Sequence, residues 1–252
     1  MRFASLGSGS KGNATLVQVK ETCVMIDCGF SLKETEARLS RYGLDATQLD
    51  AILITHEHGD HVRGAGPLAR KYDLPLWTTR GTHSKAILGK LPALHYLDVH
   101  QRFAVKDLEI QPYPVPHDAR EPCQFVFTDG QQHFGMLTDV GMITPHIEAA
   151  LDGCDALLLE CNHDLMMLEQ GPYPYSLKQR VAGRLGHLSN EQTAALLNSL
   201  DYSGLKHLVI AHLSEQNNTP DLACDALVEA TGCDRNWIKI ASQSEGFDWC
   251  EI

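Results

Sequence analysis

Apolar positions along this 252-residue chain fall in short runs with two distinct periods. Alternating or continuous apolar stretches predict strands near 2–6, 14–19 and 22–27. Leu32, Ala37 and Leu39 define the apolar side of a helix near 31–41. The run Asp50-Ala51-Ile52-Leu53-Ile54-Thr55 suits a buried strand. A helix near 61–72 ending before Pro75, a brief strand at 75–78 and a helix near 81–89 complete the first half. The second half opens with strands near 103–115, 123–129 and 132–138. Thr144 before Pro145 is a good cap followed by proline at the first helical position, predicting a helix near 145–151. Asp155-Ala156-Leu157-Leu158-Leu159-Glu160 is another buried strand. Ser189 and Gln192 fit a capping box for a helix over 190–199. Lys206 to Ala211 is a strand, Thr219-Pro220 opens a helix near 220–230, and strands near 236–241 and 246–251 close the chain.

Strands come first, then strand–helix units, and the pattern repeats once. This order predicts an α/β (α+β) protein: a four-layer αββα sandwich of two mixed sheets with helices on the outer faces. Residues 165–188, with Gly171, Pro172, Tyr173, Pro174 and Tyr175, read as an inserted surface loop or short helical arm in a single domain spanning 1–252. No apolar run approaches the roughly 20 residues a membrane helix needs. The first residues read as a strand entering a glycine turn, not as a secretory signal, so a cytoplasmic setting is expected. Eight scattered cysteines without a CxxC pair read as buried free thiols in a reducing compartment. The net charge of -11 repels polyanions, so any nucleic acid must meet a local basic face.

The unusual count is thirteen histidines, several at the ends of predicted strands. His56-Glu57-His58-Gly59-Asp60-His61 has the form HxHxDH directly after a buried strand. In its extended part residues two apart point the same way, so His56 and His58 can share one ion. Gly59 permits a sharp turn, after which Asp60 and His61 project toward a second ion. Imidazole and carboxylate are suitable ligands for Zn or Mn, and Fe is also compatible. The competing reading, Asp60 as a helix cap amid surface histidines, fits poorly with three histidines and an aspartate in six residues. His117, Asp139 and His212 each follow an apolar strand and supply further candidate ligands.

With these residues in order, the sequence resembles the metallo-β-lactamase superfamily over nearly its whole length. The resemblance implies that His56, His58 and His117 hold one divalent ion and that Asp60, His61 and His212 hold another, with Asp139 bridging. It also implies that Asp27 supports the histidine turn by hydrogen bonding. Gly7-Ser8-Gly9-Ser10-Lys11-Gly12-Asn13, Glu160-Cys161-Asn162-His163-Asp164, Gly186-His187-Leu188-Ser189-Asn190 and His212-Leu213-Ser214-Glu215-Gln216-Asn217-Asn218 are similar to the YycJ/WalJ group. That group implies a nuclease, with 5'-to-3' exonuclease action on DNA. About 73 residues separate Asp139 from His212, too few for the large β-CASP insert of many related nucleases. Glu160 and His187 resemble the Glu–His pair of tRNA 3'-processing members, in which the histidine gives a proton to the leaving oxygen. Asp60, Glu160 and His187 are thus the candidate catalytic residues. His163 has either a direct or a supporting role.

These readings imply metal-assisted phosphodiester hydrolysis. A small-molecule phosphodiesterase and a thioester or lactone hydrolase of the same fold are the alternatives, beside a metal-dependent binding protein without turnover. DNA is the favoured partner over RNA, no membrane is implied, and the oligomeric state is left open. Candidate substrate contacts are Ser8, Ser10 and Asn13 in the glycine-rich loop, Lys178 and Arg180 beside Tyr173, Tyr175 and Arg184, and Asn217. Arg63, Arg70 and Lys71 add charge after the histidine turn. Phosphate contact with aromatic stacking suits a single-stranded end.

Overall fold

The computed structural model describes residues 1–252, arranged as two seven-stranded sheets with helices outside them. The first sheet contains β1 (Arg2–Gly7), β2 (Ala14–Val19), β3 (Thr22–Ile26), β4 (Ala51–Leu53), β5 (Pro75–Thr78) and β6 (Ala93–Tyr96). The second contains β7 (Phe103–Val105), β8 (Leu108–Pro114), β9 (Cys123–Thr128), β10 (His133–Leu137), β11 (Ala156–Glu160), β12 (His207–Ala211) and β13 (Ile238–Ile240). The last strand, β14 (Phe247–Glu251), returns to pair with β1. Both sheets follow one plan. β14, β1, β2 and β3 pair antiparallel and β3 to β6 parallel; β7 to β10 pair antiparallel and β10 to β13 parallel.

The alternation read from the sequence sorts side chains between layers. In β4 and the residue after it, Ala51 and Leu53 face the second sheet while Ile52 and Ile54 face the helices. In β11, Ala156 and Leu158 face the first sheet while Leu157 and Leu159 face outward. Phe3 stacks on Phe134 across the sheets at 4.1 Å between ring centroids. Each such fully buried ring contributes roughly 1.5–3 kcal/mol relative to exposure. Helices Leu32–Arg41 and Ala65–Tyr72 cover the first sheet; Pro145–Leu151, Asn190–Ser199 and Pro220–Thr231 cover the second. The capping residues act as their chemistry predicts: Thr144, Ser189 and Thr219 accept from the backbones of Ile147, Gln192 and Leu222, and the Ser189/Gln192 box is complete.

Four local expectations change. The helix expected over 61–72 is broken into Gly59–Val62 and Ala65–Tyr72, because the chain at Gly64 presses against the loop that follows β3. A Cβ on Gly64 would lie 2.2 Å from Phe30 O. The helix expected to 89 stops at Lys85. Ala37 is exposed, and Thr35 takes the buried place beside Leu39. β6 lies outside every predicted element, since it is a half-exposed edge with little apolar pattern, held by parallel pairing to β5 and by His95 stacked on Trp77 at 4.3 Å. All eight cysteines are unpaired, and all but Cys233 are buried. Residues 165–188 hold two short helices, Leu165–Gln170 and Tyr175–Val181. No helix is long and apolar enough to cross a membrane.

Candidate metal centre

Parallel strands of both sheets end beside one another, and the predicted residues follow them: Asp27 after β3, His56 after β4, Asp139 after β10, Glu160 at the end of β11 and His212 after β12. Asp27, Asp139 and His212 have φ of 59, 54 and 54 degrees, the left-handed region that ends an extended run. Asp and His are among the non-glycine residues that enter it most readily. His58 caps the single turn Gly59–Val62, which places Asp60 and His61. That turn is pinned by Asn13 N–H donating to Asp60 O (2.8 Å) and Cys28 N–H donating to His61 O (2.7 Å). Gly29 allows this approach, since a Cβ there would lie 1.6 Å from Asp60 O.

Hydrogen bonds fix which nitrogen of each ring faces the centre. Carboxylates and backbone carbonyls only accept, so each imidazole nitrogen bonded to one carries the proton. His61 Nδ1–H donates to Asp27 Oδ2 (2.8 Å), His117 Nδ1–H to Gly186 O (3.1 Å) and His212 Nδ1–H to Glu160 Oε1 (3.1 Å). Thr55 donates its hydroxyl to Asp27 Oδ2 (2.9 Å) and so accepts from His56 Nδ1–H (2.9 Å). In all four rings Nε2 is thereby the nitrogen turned to the centre. His58 offers the other nitrogen: its Nδ1 lies 3.3 Å from His117 Nε2. Supporting donors and acceptors of this kind raise ligand basicity and hold ring orientation.

Donor atoms of His56, His58 and His117 lie within 4.8 Å of one another; so do those of Asp60, His61 and His212, and those of His56, His61 and Asp139. His56 Nε2, Asp139 Oδ2 and His212 Nε2 are buried with no hydrogen-bond partner. A buried polar atom left unmet costs roughly 1–3 kcal/mol, and divalent cations held by these groups would satisfy all three. The electrostatics agree. Burial alone would depress His61 and His212, but the carboxylates around them prevail. Asp139, Asp27 and Asp60 hold His61 well above its ordinary value, and Asp139, Asp60 and Glu160 push His212 up to about 10. Asp139 is held low against its burial by the surrounding histidines, His212 and His61 first. Positive charge is therefore demanded here, and the donor set fits divalent metal ions. Asp27→Asn is expected to weaken divalent-ion affinity roughly 10- to 100-fold. Competition against a chromophoric chelator measures this, and unchanged affinity would remove Asp27 from any part in the centre.

Glu160 is fully buried and accepts five hydrogen bonds, from His187 Nδ1 (2.8 Å), His212 Nδ1 (3.1 Å) and the backbone N–H groups of Asp139, Val140 and Leu188. With no exposed surface, its carboxylate holds the His187 and His212 rings in place. His187 Nδ1 lies 3.9 Å from Asp139 Oδ1, and burial's tendency to depress His187 is outweighed by Glu160, so its value is raised. With Nδ1 bound to Glu160, Nε2 is the nitrogen available to a reacting group.

Several sequence expectations are corrected by burial. Asn217 is fully buried beneath Gly171 and cannot contact substrate. Ser8 and Asn13 are nearly as buried and hold the centre in place: Ser8 Oγ accepts from His212 N (3.0 Å), and Asn13 Nδ2 lies 3.1 Å from His61 Nε2. Ser10 is exposed, and Lys178 and Arg180 lie on the helix Tyr175–Val181. His163 is buried outside the ligand groups, with its backbone bridged to Ser189. Sequence reasoning missed Thr55 and Asp118. Thr55 was detectable as the hydroxyl preceding the first histidine; Asp118, directly after His117, lies 3.4 Å from His117 Nε2.

A family model described as "Beta-lactamase superfamily domain" matches residues 22–213. The chain belongs to the metallo-β-lactamase superfamily and is a metal-dependent hydrolase. Within that superfamily it is YycJ/WalJ-like. It is 35% identical over 227 residues to exodeoxyribonuclease YycJ of Bacillus anthracis, covering 88% of this chain and 86% of that protein. It is also 35% identical over 229 residues to exodeoxyribonuclease WalJ of Streptococcus pneumoniae, covering 88% and 85%. The metallo-β-lactamase fold protein YhfI from Bacillus subtilis shares the fold over 99% of both chains, with a TM-score of 0.76 at 18% identity.

Proposed function

We propose that this chain is a DNA exonuclease that hydrolyses phosphodiester bonds from a 5' end, working as one domain over 1–252 with two divalent ions, Zn or Mn. His56, His58 and His117 would hold one ion and Asp60, His61 and His212 the other, with Asp139 available to both. When bound, such ions would supply Lewis acidity and lower the pKa of water. Asp27 and Thr55 keep the unprotonated nitrogens of His61 and His56 turned inward. Glu160 orients His187, whose Nε2–H gives its proton to the departing oxygen. Alkoxide leaving groups need that proton, whereas thioesters leave readily without it, so the Glu160–His187 pair beside the ligand cluster is the observation that carries the phosphodiester reading. The names of the YycJ and WalJ relatives support DNA as the polymer, and eight unpaired cysteines support a reducing, cytoplasmic setting.

The test is hydrolysis of end-labelled single- and double-stranded DNA and RNA with Mn or Zn, using His58→Ala as control. Stepwise shortening of DNA from the 5' end, absent in the variant, is expected. Turnover of a small phosphodiester with every polymer left intact would replace this reading with a small-molecule phosphodiesterase.

A further inference from the structure

The segment between β11 and the helix Asn190–Ser199 is bonded directly to the metal centre. Asp118 N–H donates to Leu185 O (3.0 Å), His117 Nδ1–H to Gly186 O, and His187 N–H to Val181 O (2.8 Å). A Cβ on Gly186 would lie 2.2 Å from Arg180 O, so glycine is what permits this tight return. On the same arm Arg180 donates from Nε to Asp118 Oδ2 (2.6 Å), while the rest of its guanidinium makes no bond to the protein and its side chain is 62% exposed. Asp118 Oδ1 is in turn 3.9 Å from His58 Nε2. One nitrogen thus anchors a cation at the mouth of the centre, and its remaining donors stay open to an anion.

A groove of about 490 Å³ opens between the two short helices, lined by Leu165, Leu168, Tyr175 and Lys178, on the helix face turned away from Arg180. Tyr175 is 75% exposed, and its hydroxyl accepts from Gln179 Nε2 (2.9 Å). Lys178 Nζ is held at Glu169 O (2.6 Å), on the groove's rim. An exposed ring with two cations on one helix, one of them tied to the hydrolytic centre through Asp118, complements a base and its phosphates; the net charge of -11 makes such a local cation necessary.

We infer that this arm grips an unpaired stretch of nucleic acid: Arg180, oriented by Asp118, holds a backbone phosphate beside the metal centre, and the exposed Tyr175 ring, on the other face of the same helix, takes an unstacked base further along the strand. The inference rests on the phosphodiester reading above. The experiment compares wild type with Tyr175→Ala, Tyr175→Phe, Arg180→Ala and Asp118→Asn, each loaded with Mn and checked by thermal melting. It measures anisotropy of a fluorescent single-stranded 12-mer and the ratio of kcat/KM on that oligonucleotide to kcat/KM on bis-p-nitrophenyl phosphate. Tyr175→Ala is expected to weaken 12-mer binding roughly 5- to 150-fold, with Tyr175→Phe restoring it. Arg180→Ala is expected to lower the kcat/KM ratio through KM, and Asp118→Asn to do so less. Unchanged binding and ratio in Tyr175→Ala and Arg180→Ala, with wild type still degrading the 12-mer, overturns the grip and leaves the nuclease reading standing. A wild type that neither binds nor cuts the 12-mer overturns both. Loss of a dimer in Tyr175→Ala, with 12-mer binding intact, assigns the groove to a second copy and overturns the inference.

Discussion

Asp139→Ala is expected to abolish hydrolysis, with kcat down on the order of 10³-fold or more, and to lower the bound metal content. Three observations converge on this residue. It is buried, one of its carboxylate oxygens has no hydrogen-bond partner, and its oxygens lie 3.3 Å from His61 Nε2 and 3.5 Å from His212 Nε2. No other side chain is within ion-pairing reach of His61, His117, His187 and His212 together. Removing it takes away the negative charge that serves the whole cluster. Chelation of the wild type is expected to give the same loss, and added Mn to restore activity in the wild type alone. Elemental analysis together with turnover decides the matter: full metal content with more than a tenth of wild-type kcat in Asp139→Ala would show that Asp139 is dispensable.

His187→Ala is expected to lower kcat on DNA by roughly 10²- to 10⁴-fold, the usual contribution of a positioned general acid. The same variant should lose far less on a diester with a p-nitrophenolate leaving group, which departs without protonation. Metal content distinguishes the proton-donor role from a ligand role, because His187 also lies within reach of Asp139 and His212. A variant that keeps its metal and loses rate only on the alkoxide leaving group fits the acid. Equal losses on both substrates, or loss of metal, would sink that assignment.

The centre was legible because its residues are local in sequence or mark the ends of apolar runs. The turn from His56 to His61 lies within six residues, and His117, Asp139 and His212 each stand just beyond a strand whose side chains sort by layer. The Glu160–His187 pair came from resemblance, since no periodicity joins a strand end to a loop 27 residues later. What escaped the sequence was set by tertiary contact. The break at Gly64 depends on the approach of Phe30, and β6 depends on its pairing to β5. Asn217 reads as a polar loop residue and is enclosed only because the chain at Gly171 packs over it. Ser8 and Asn13 sit in a loop that looks like a phosphate cradle, yet their polar atoms are committed to His212 and His61.

The left-handed backbone at Asp27, Asp139 and His212 bears on how this protein changes under selection. Each of these positions costs on the order of 1–2 kcal/mol relative to glycine. Glycine there would be more comfortable for the backbone, and only the chemistry of the side chain keeps it out. A library sorted for heat resistance, with no demand for turnover, should therefore accumulate glycine or asparagine at these three sites early. Copies of the gene freed from their task should lose the same three residues ahead of the apolar core, so their survival in a lineage would be a sign that hydrolysis is still being selected.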